Sequence, residues 1–299
     1  MDGPEGFVVV VEPGHRIHFL DWGTADLPGV VAIHGLSQTA WAWAPVARRL
    51  TTERHVVTMD LRGHGLSDSP TEGYDLGSQS GDVIAVAEGS GLLAEPGHRV
   101  VLAGHGFGAI VATEAAASLG ARCAGLVLVD GGWEAMEAAT GEDVEGFLRT
   151  LDEPPEVLRS LTAFLADRRA FDPGTWDADQ ERAARSTVVE TRAGRVVPTT
   201  RPHVVEACVR AMFDYEPVAT LADVMCPAIA LLAGDDEEGS RTRALAVVND
   251  ARSAAGRERV RLLRAGDAGH NLMRYRPDAV AAAILSVTGS VQPTDLDPP

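Results

Sequence analysis

Residues 99–119 read RVVLAGHGFGAIVATEAAASL. An apolar, partly β-branched run ends at Ala103. Glycine then takes every second place through Gly108, and an alanine-rich stretch follows. These three parts predict a strand, a sharp turn and a helix over Ala109–Leu119. The same rhythm recurs on both sides. Short apolar runs lie at Val8–Val11, Ile17–Asp21, Val30–Ile33, His55–Asp60, Gly125–Asp130, Ala228–Ala233 and Val260–Arg264. Most are nearly continuous in apolar character, as strands covered on both faces must be. Helical patterns at Ala42–Leu50 and Gly77–Leu93 separate several of them, which predicts a parallel, doubly wound α/β sheet. Only EPGHR separates the first two runs, so they are expected to form an antiparallel hairpin at one edge.

The rhythm lapses between Gly131 and about Asp223 and resumes at CPAIALLAGDD (residues 226–236). The expected organisation is an α/β core in two parts, residues 1–132 and 223–288, with a helical cap inserted at 133–222. The stretch from Gly289 to Pro299 carries three prolines and no periodicity; it reads as a disordered tail.

Composition narrows the chemistry. The chain has 299 residues and is 45% hydrophobic but only 5% aromatic, so Ala, Val and Leu must build the core. All 26 basic residues are arginine, against 43 acidic ones, for a formal charge of -17. Without lysine there is no Walker A loop and no Schiff base, so pyridoxal-phosphate chemistry is excluded. So acidic a chain repels nucleic-acid phosphates and anionic membranes. Cys123, Cys208 and Cys226 are too few and too scattered for a disulfide framework or a zinc knuckle, and they read as buried thiols. No His/Cys/Asp cluster has metal spacing, so neither a metal nor any other cofactor is expected. The start, MDGPEGFVVV, lacks the basic region and cleavage site of a signal peptide, and no apolar run approaches membrane-spanning length. The expectation is a cytoplasmic protein whose partner is a peptide or a small molecule.

Functional residues of open parallel sheets gather at the C-terminal ends of strands. Four ends carry polar or glycine-rich turns: His34-Gly35-Leu36, the stretch Asp60 to Asp68, Gly104-His105-Gly106-Phe107-Gly108, and Gly269-His270-Asn271. The segments HGLSQTAWAW, DLRGHGLSD, LAGHGFGA, LVLVDGG, LLAGDD and AGHNL occur in the order and spacing of the α/β-hydrolase family. Over roughly residues 7–287 the chain resembles that family. The resemblance implies the α/β-hydrolase fold with an inserted cap and makes residues 104–108 the nucleophile elbow, G-x-S-x-G.

Here the elbow has Gly106 where the family places its serine. Glycine has no side chain to attack with, so an acyl-enzyme cannot form at this position. The rest of the family's machinery has counterparts. The backbone N–H groups of Leu36 and Phe107 would form an oxyanion hole. His270 matches the family's histidine. Its carboxylate partner is expected after LLAG among Asp235, Asp236 and Glu237, with the usual register favouring Glu237. Asp130 is the alternative acid; its plain reading is a turn cap before Gly131-Gly132. His105 reads as structural, with a recruited catalytic group as the alternative, since it lies within one residue of the site. His64 reads as part of a structural turn. His34, Trp41, Trp133 and Trp176 are candidates for lining a substrate pocket between cap and sheet.

The string GHGFGA also satisfies the dinucleotide fingerprint, with Asp130 about 20 residues on. That fingerprint normally opens the first βαβ unit, whereas three strands precede this one, and it leaves HGLSQTAWAW and AGHNL unexplained. Tight NAD(H) binding would revive it.

Three functions stay open. An oxyanion hole with a histidine base and no nucleophile suits proton removal next to a carbonyl, as in an epimerase or isomerase acting on a peptide or natural-product-like substrate. Bottromycin-type peptide biosynthesis has an α/β-hydrolase-fold epimerase without its triad, to which this chain is loosely similar. The second reading is a hydrolase using water directly, or an inactive Ser→Gly variant of a serine hydrolase. The third is a non-catalytic ligand-binding pseudoenzyme.

Overall fold

The computed structural model describes residues 3–23, 25–151, 160–192, 194–234, 236, 238–266 and 268–289. Asp235, Glu237 and the tail from residue 290 onward lie outside these. Ten strands are present among the described residues: β1 (Glu5–Val11), β2 (His15–Asp21), β3 (Gly29–Ile33), β4 (His55–Met59), β5 (Val100–His105), β6 (Cys123–Val129), β7 (Val188–Glu190), β8 (Val196–Pro198), β9 (Ala228–Leu232) and β10 (Arg261–Arg264). Eight form one sheet in the order β1-β2-β4-β3-β5-β6-β9-β10. β1 pairs antiparallel with β2, and β2 antiparallel with β4. From β4 to β10 every neighbouring pair is parallel.

The strand order explains where a site can form. After β3 the chain turns outward to β4, then crosses back to lay β5 on the other side of β3. The chain therefore reverses its winding between β3 and β5, and the loops leaving their C-terminal ends diverge to open a crevice. Those loops are His34-Gly35-Leu36 and the glycine-rich turn at 104–108.

The helices cover the sheet in two layers. Helices Leu76–Gly89, Phe107–Leu119 and Ser240–Ala254 bury one face, with Leu102, Val111, Leu128 and Val248 wholly inaccessible. Helices Ala44–Leu50 and Pro277–Ser286 bury the other, around Trp43, Val127, Leu231 and Ile284. Strands covered on both faces have no polar side to show, which is why β3, β4, β5 and β9 are buried along their whole length. The second helix is shorter than its apolar pattern: Gly89-Ser90-Gly91 ends it, with Gly91 at positive φ.

The segment between β6 and β9 is mostly helical, at Met136–Thr140, Val144–Leu151, Leu161–Phe171, Ala178–Ser186 and Pro202–Phe213. It also holds the small antiparallel hairpin β7–β8, which an all-helical reading of this stretch does not contain. Paired valines at 188–189 and 196–197, with Gly194 at positive φ in the turn, account for it.

Candidate active site

The turn after β5 is built by backbone crowding. A Cβ on Gly104 would overlap the Gly108 carbonyl, and one on Gly108 would overlap the carbonyls of Ile33 and His34. Those two glycines let the helix at Phe107 start hard against β3. Gly106 differs. It sits at φ 53, ψ -115, a conformation that costs any L-residue strain. Yet a Cβ there would meet only the His270 ring, at 3.3 Å from Nε2 and 3.6 Å from Cε1. The elbow keeps its conformation and its open space and lacks only the side chain.

His270 reaches this space from the loop after β10, and its side chain is 63% exposed. Its Nδ1 is 2.5 Å from Asp130 Oδ2. With Nδ1–H donated to a carboxylate, Nε2 is the lone-pair nitrogen, and it faces Gly106. Asp130 stands at the end of β6 with φ 51. Its Oδ1 accepts from the Ala233 amide at 2.9 Å and from Arg241 Nη1 at 2.6 Å. Burial pushes this carboxyl up, but His270, Arg241 and the Ala233 amide together hold it below the usual carboxylate value. It is therefore an anion beside His270.

Of the three carboxylates expected after LLAG, Asp236 does not fill this place. Asp236 accepts from the amides of Arg241 (3.2 Å) and Thr242 (2.9 Å) and from the Thr242 hydroxyl (2.5 Å). It ties down the first turn of helix Ser240–Ala254 and does not bond to His270. Glu237, favoured by register, lies outside the described residues, as does Asp235. Both β6 and β9 deliver a carboxylate to the same edge of the sheet, and spacing along the chain does not distinguish them.

Arg241 is a site residue that the sequence reading did not single out. It bridges Asp130 and Glu134 Oε2 (2.7 Å), and its guanidinium lies 4.9 Å from the Trp133 ring centroid. In sequence it is one arginine of a polar helix start, with nothing to mark it; only the fold brings it to Asp130.

The oxyanion loop is fixed from below. His34 is wholly buried, donates from Nδ1 to the Gly35 carbonyl (2.7 Å) and accepts the Leu61 amide at Nε2 (3.1 Å). It is a strut between two loops and lines no pocket, because both nitrogens are spent inside the protein. His64 accepts the Ser37 amide at 3.2 Å, and burial lowers it to about 3. The amides of Leu36 and Phe107 donate to no other group among the described residues. His105 donates from Nε2 to the His270 carbonyl (3.0 Å), and its Nδ1 lies 3.1 Å from Gln38 Oε1, which also accepts the Gly35 amide. Burial first, then the neighbouring His270, lower His105 to about 3, so it is neutral at ordinary pH. It links the elbow, the oxyanion loop and the His270 loop.

The tryptophans divide. Trp133 is 1% exposed and belongs to the core under Arg241, so it lines no open pocket. Trp41 lies under Arg182 and walls a cavity of about 450 Å³ with His18, Asp60, Leu66 and Val188. That cavity includes neither Gly106 nor His270. Trp176 is half-buried in the segment between β6 and β9. Among the described residues, no group of three His, Cys, Asp or Glu side chains could hold a metal ion, and no helix is long and apolar enough to cross a membrane.

The glycine turn after β5, the loop after β3 and the His270–Asp130 pair meet at the C-terminal edge of the sheet. The chain belongs to the Alpha/beta hydrolase family, whose profile matches residues 30–283. It is 30% identical to N-formylmaleamate deformylase of Pseudomonas putida, over 74% of this chain and 75% of that protein. It is also 30% identical to Epoxide hydrolase 4 of Mus musculus, but over 37% of this chain and only 30% of that protein's length. Among solved structures, E-2-(acetamidomethylene)succinate hydrolase superposes with a TM-score of 0.76 at 20% identity, covering 95% of this chain and 98% of that one. The thioesterase domain of the curacin biosynthetic pathway gives 0.73 at 21% identity, covering 95% and 100%.

Proposed function

We propose that this chain is a general-base enzyme acting on a carbonyl compound without a covalent acyl-enzyme. The observation that carries this reading is the position of His270 Nε2, 3.3 Å from where a Gly106 Cβ would stand, with no other described residue beyond the two chain neighbours within 4 Å of that point. A substrate atom can occupy the space a serine would fill. His270 takes a proton from the carbon next to the carbonyl, and the Leu36 and Phe107 amides receive the charge that develops on the oxygen. Asp130 stabilises the imidazolium that results. Returning the proton to the other face gives epimerisation; returning it to another atom gives isomerisation.

A second reading rests on the match to the deformylase. A water molecule placed at the same point would lose its proton to His270 and add directly to the carbonyl carbon. One experiment separates the two. Candidate carbonyl compounds and acylated peptides are incubated in deuterated water and, separately, in heavy-oxygen water, then read by mass spectrometry. Deuterium in the recovered, uncleaved compound supports proton transfer. Heavy oxygen in a cleaved acid supports direct hydrolysis. A product that forms equally fast with His270→Ala overturns both.

A further inference from the structure

The base of the sheet, away from Gly106, holds a feature that this chemistry does not use. Cys123 opens β6, and Cys226 stands just before β9, the strand paired beside it. Their sulfurs are 3.5 Å apart, and both residues are buried. The third cysteine, Cys208, lies on helix Pro202–Phe213, and burial pushes its thiol up to about 12.

A cation adjoins the pair. Arg252 is wholly buried and gives its N–H groups to four carbonyls, those of Leu221, Val224, Cys226 and Glu258. No carboxylate among the described residues pairs with it. A guanidinium buried among carbonyls alone favours any nearby anion. The contact with Cys123, and Arg252 after it, hold the Cys226 thiol below its ordinary value, while the same contact raises Cys123. Of the two, Cys226 is the one beside Arg252, which bonds its carbonyl at 3.1 Å. Met225, next to Cys226, is 51% exposed, and its sulfur lies 3.7 Å from where a Cβ on Gly120 would stand.

We infer that Cys123 and Cys226 are a modification site, an intramolecular disulfide formed by hydrogen peroxide. The Cys226 thiolate attacks one oxygen of the peroxide and the O–O bond breaks. The departing hydroxide takes up a proton and leaves as water, with Cys226 now a sulfenic acid. The Cys123 sulfur, losing its proton, attacks the Cys226 sulfur and expels that hydroxyl as a second water. Two sulfurs are oxidised and one peroxide is reduced. The sulfurs must close from 3.5 Å to about 2.0 Å, a movement that side-chain rotation and a small strand shift can supply. The bond would tie together residues 103 positions apart, across the whole stretch between β6 and β9.

The test uses the intact, reduced protein and hydrogen peroxide. After exposure, free thiols are alkylated in denaturant and the protein is mapped without reduction. The expected result is a mass lower by two hydrogen atoms and one cross-linked peptide pair holding Cys123 and Cys226, reversed by a dithiol. Cys208→Ser keeps the link, and Cys226→Ser loses it. Oxidation of exposed Met225 shows that the oxidant arrived. Met225 sulfoxide with both Cys123 and Cys226 still alkylated overturns the inference, as does a link through Cys208 or oxygen adducts on Cys226 without any link.

Discussion

Two histidine–aspartate pairs in this protein share one geometry and differ in everything around it. His270 Nδ1 meets Asp130 at 2.5 Å, and His18 Nδ1 meets Asp60 at 2.8 Å. Each Nε2 faces a glycine: a Cβ on Gly106 would stand 3.3 Å from that of His270, and a Cβ on Gly6 would stand 3.1 Å from that of His18. His18 is 7% exposed, and Asp60 also accepts the amides of Ala40 (2.7 Å) and Leu66 (3.0 Å). That pair ties β2 to two loops. His270 is exposed and faces the Gly106 turn, whose φ is positive. A histidine–aspartate pair is therefore not a site in itself. On the function proposed for His270, what the far nitrogen faces, and whether charge developing there has donors to meet it, separates a strut from a base.

The contrast can be broken by exchanging consequences between the pairs. The largest effect is expected for His270→Ala: once a substrate is in hand, turnover falls by about 10²–10⁴-fold. Thermal stability changes little, since Asp130 keeps Arg241 and the Ala233 amide. His18→Ala should do the reverse. It leaves a buried carboxylate without its partner and costs about 3 kcal/mol in denaturant titration, while turnover per folded molecule is kept. A His18→Ala protein that is fully stable but inactive would erase the distinction.

The next effect is on pH. His64, beside the Asp60 turn, and His105, beside the elbow, are each held down to about 3 by burial, whereas an unfolded histidine titrates near 6.5. A depressed folded value means the unfolded chain takes up protons first as pH falls. Stability is therefore complete above about pH 6.5 and is lost between there and pH 3, at about 1 kcal/mol per pH unit for each group. Asp60, held below its ordinary value despite burial by His18 and the amides it accepts, adds a further loss below about pH 4. His64→Gln should flatten the upper part of the melting-temperature profile. An unchanged slope would show that His64 takes no part.

The smallest effects sharpen the comparison most. Gly106→Ser puts a hydroxyl beside His270 Nε2 at a strain cost of about 2 kcal/mol, and it should gain labelling by a fluorophosphonate. Gly6→Ser puts a hydroxyl beside His18 Nε2 in ordinary extended backbone. It should cost almost nothing and gain no labelling, because no oxyanion amides face it. Labelling at both positions would mean that the base alone activates serine here.

Much of the architecture was legible before any coordinates. Strands at Val30–Ile33 and Arg99–Ala103, the hairpin at the edge and the glycine turn at 104–108 follow from apolar periodicity and local backbone needs. The vacancy at Gly106 is a single letter. The proposed roles of His270 and of the Leu36 and Phe107 amides rest on motif order along the chain. The partner of His270 did not, because Asp130, Asp236 and Glu237 are all carboxylates near strand ends, and choosing among them needs the angle at which each leaves its strand. The readings of His34 and Trp133 as pocket walls failed for a related reason: a polar or aromatic residue at a strand end looks the same in sequence whether it faces a cavity or fills the core.

By itself, then, the sequence determined the layered sheet, the glycine turn at 104–108 and the absence of a side chain at 106, since these depend on side-chain period, on glycine and on the identity of one residue. Only the tertiary structure decided that Asp130 holds His270, that Arg241 holds Asp130, and that Cys123 lies against Cys226. Each of these contacts joins residues about 100 or more positions apart. Such contacts arise from how strands are ordered in the sheet and where its loops converge, and no local pattern encodes that.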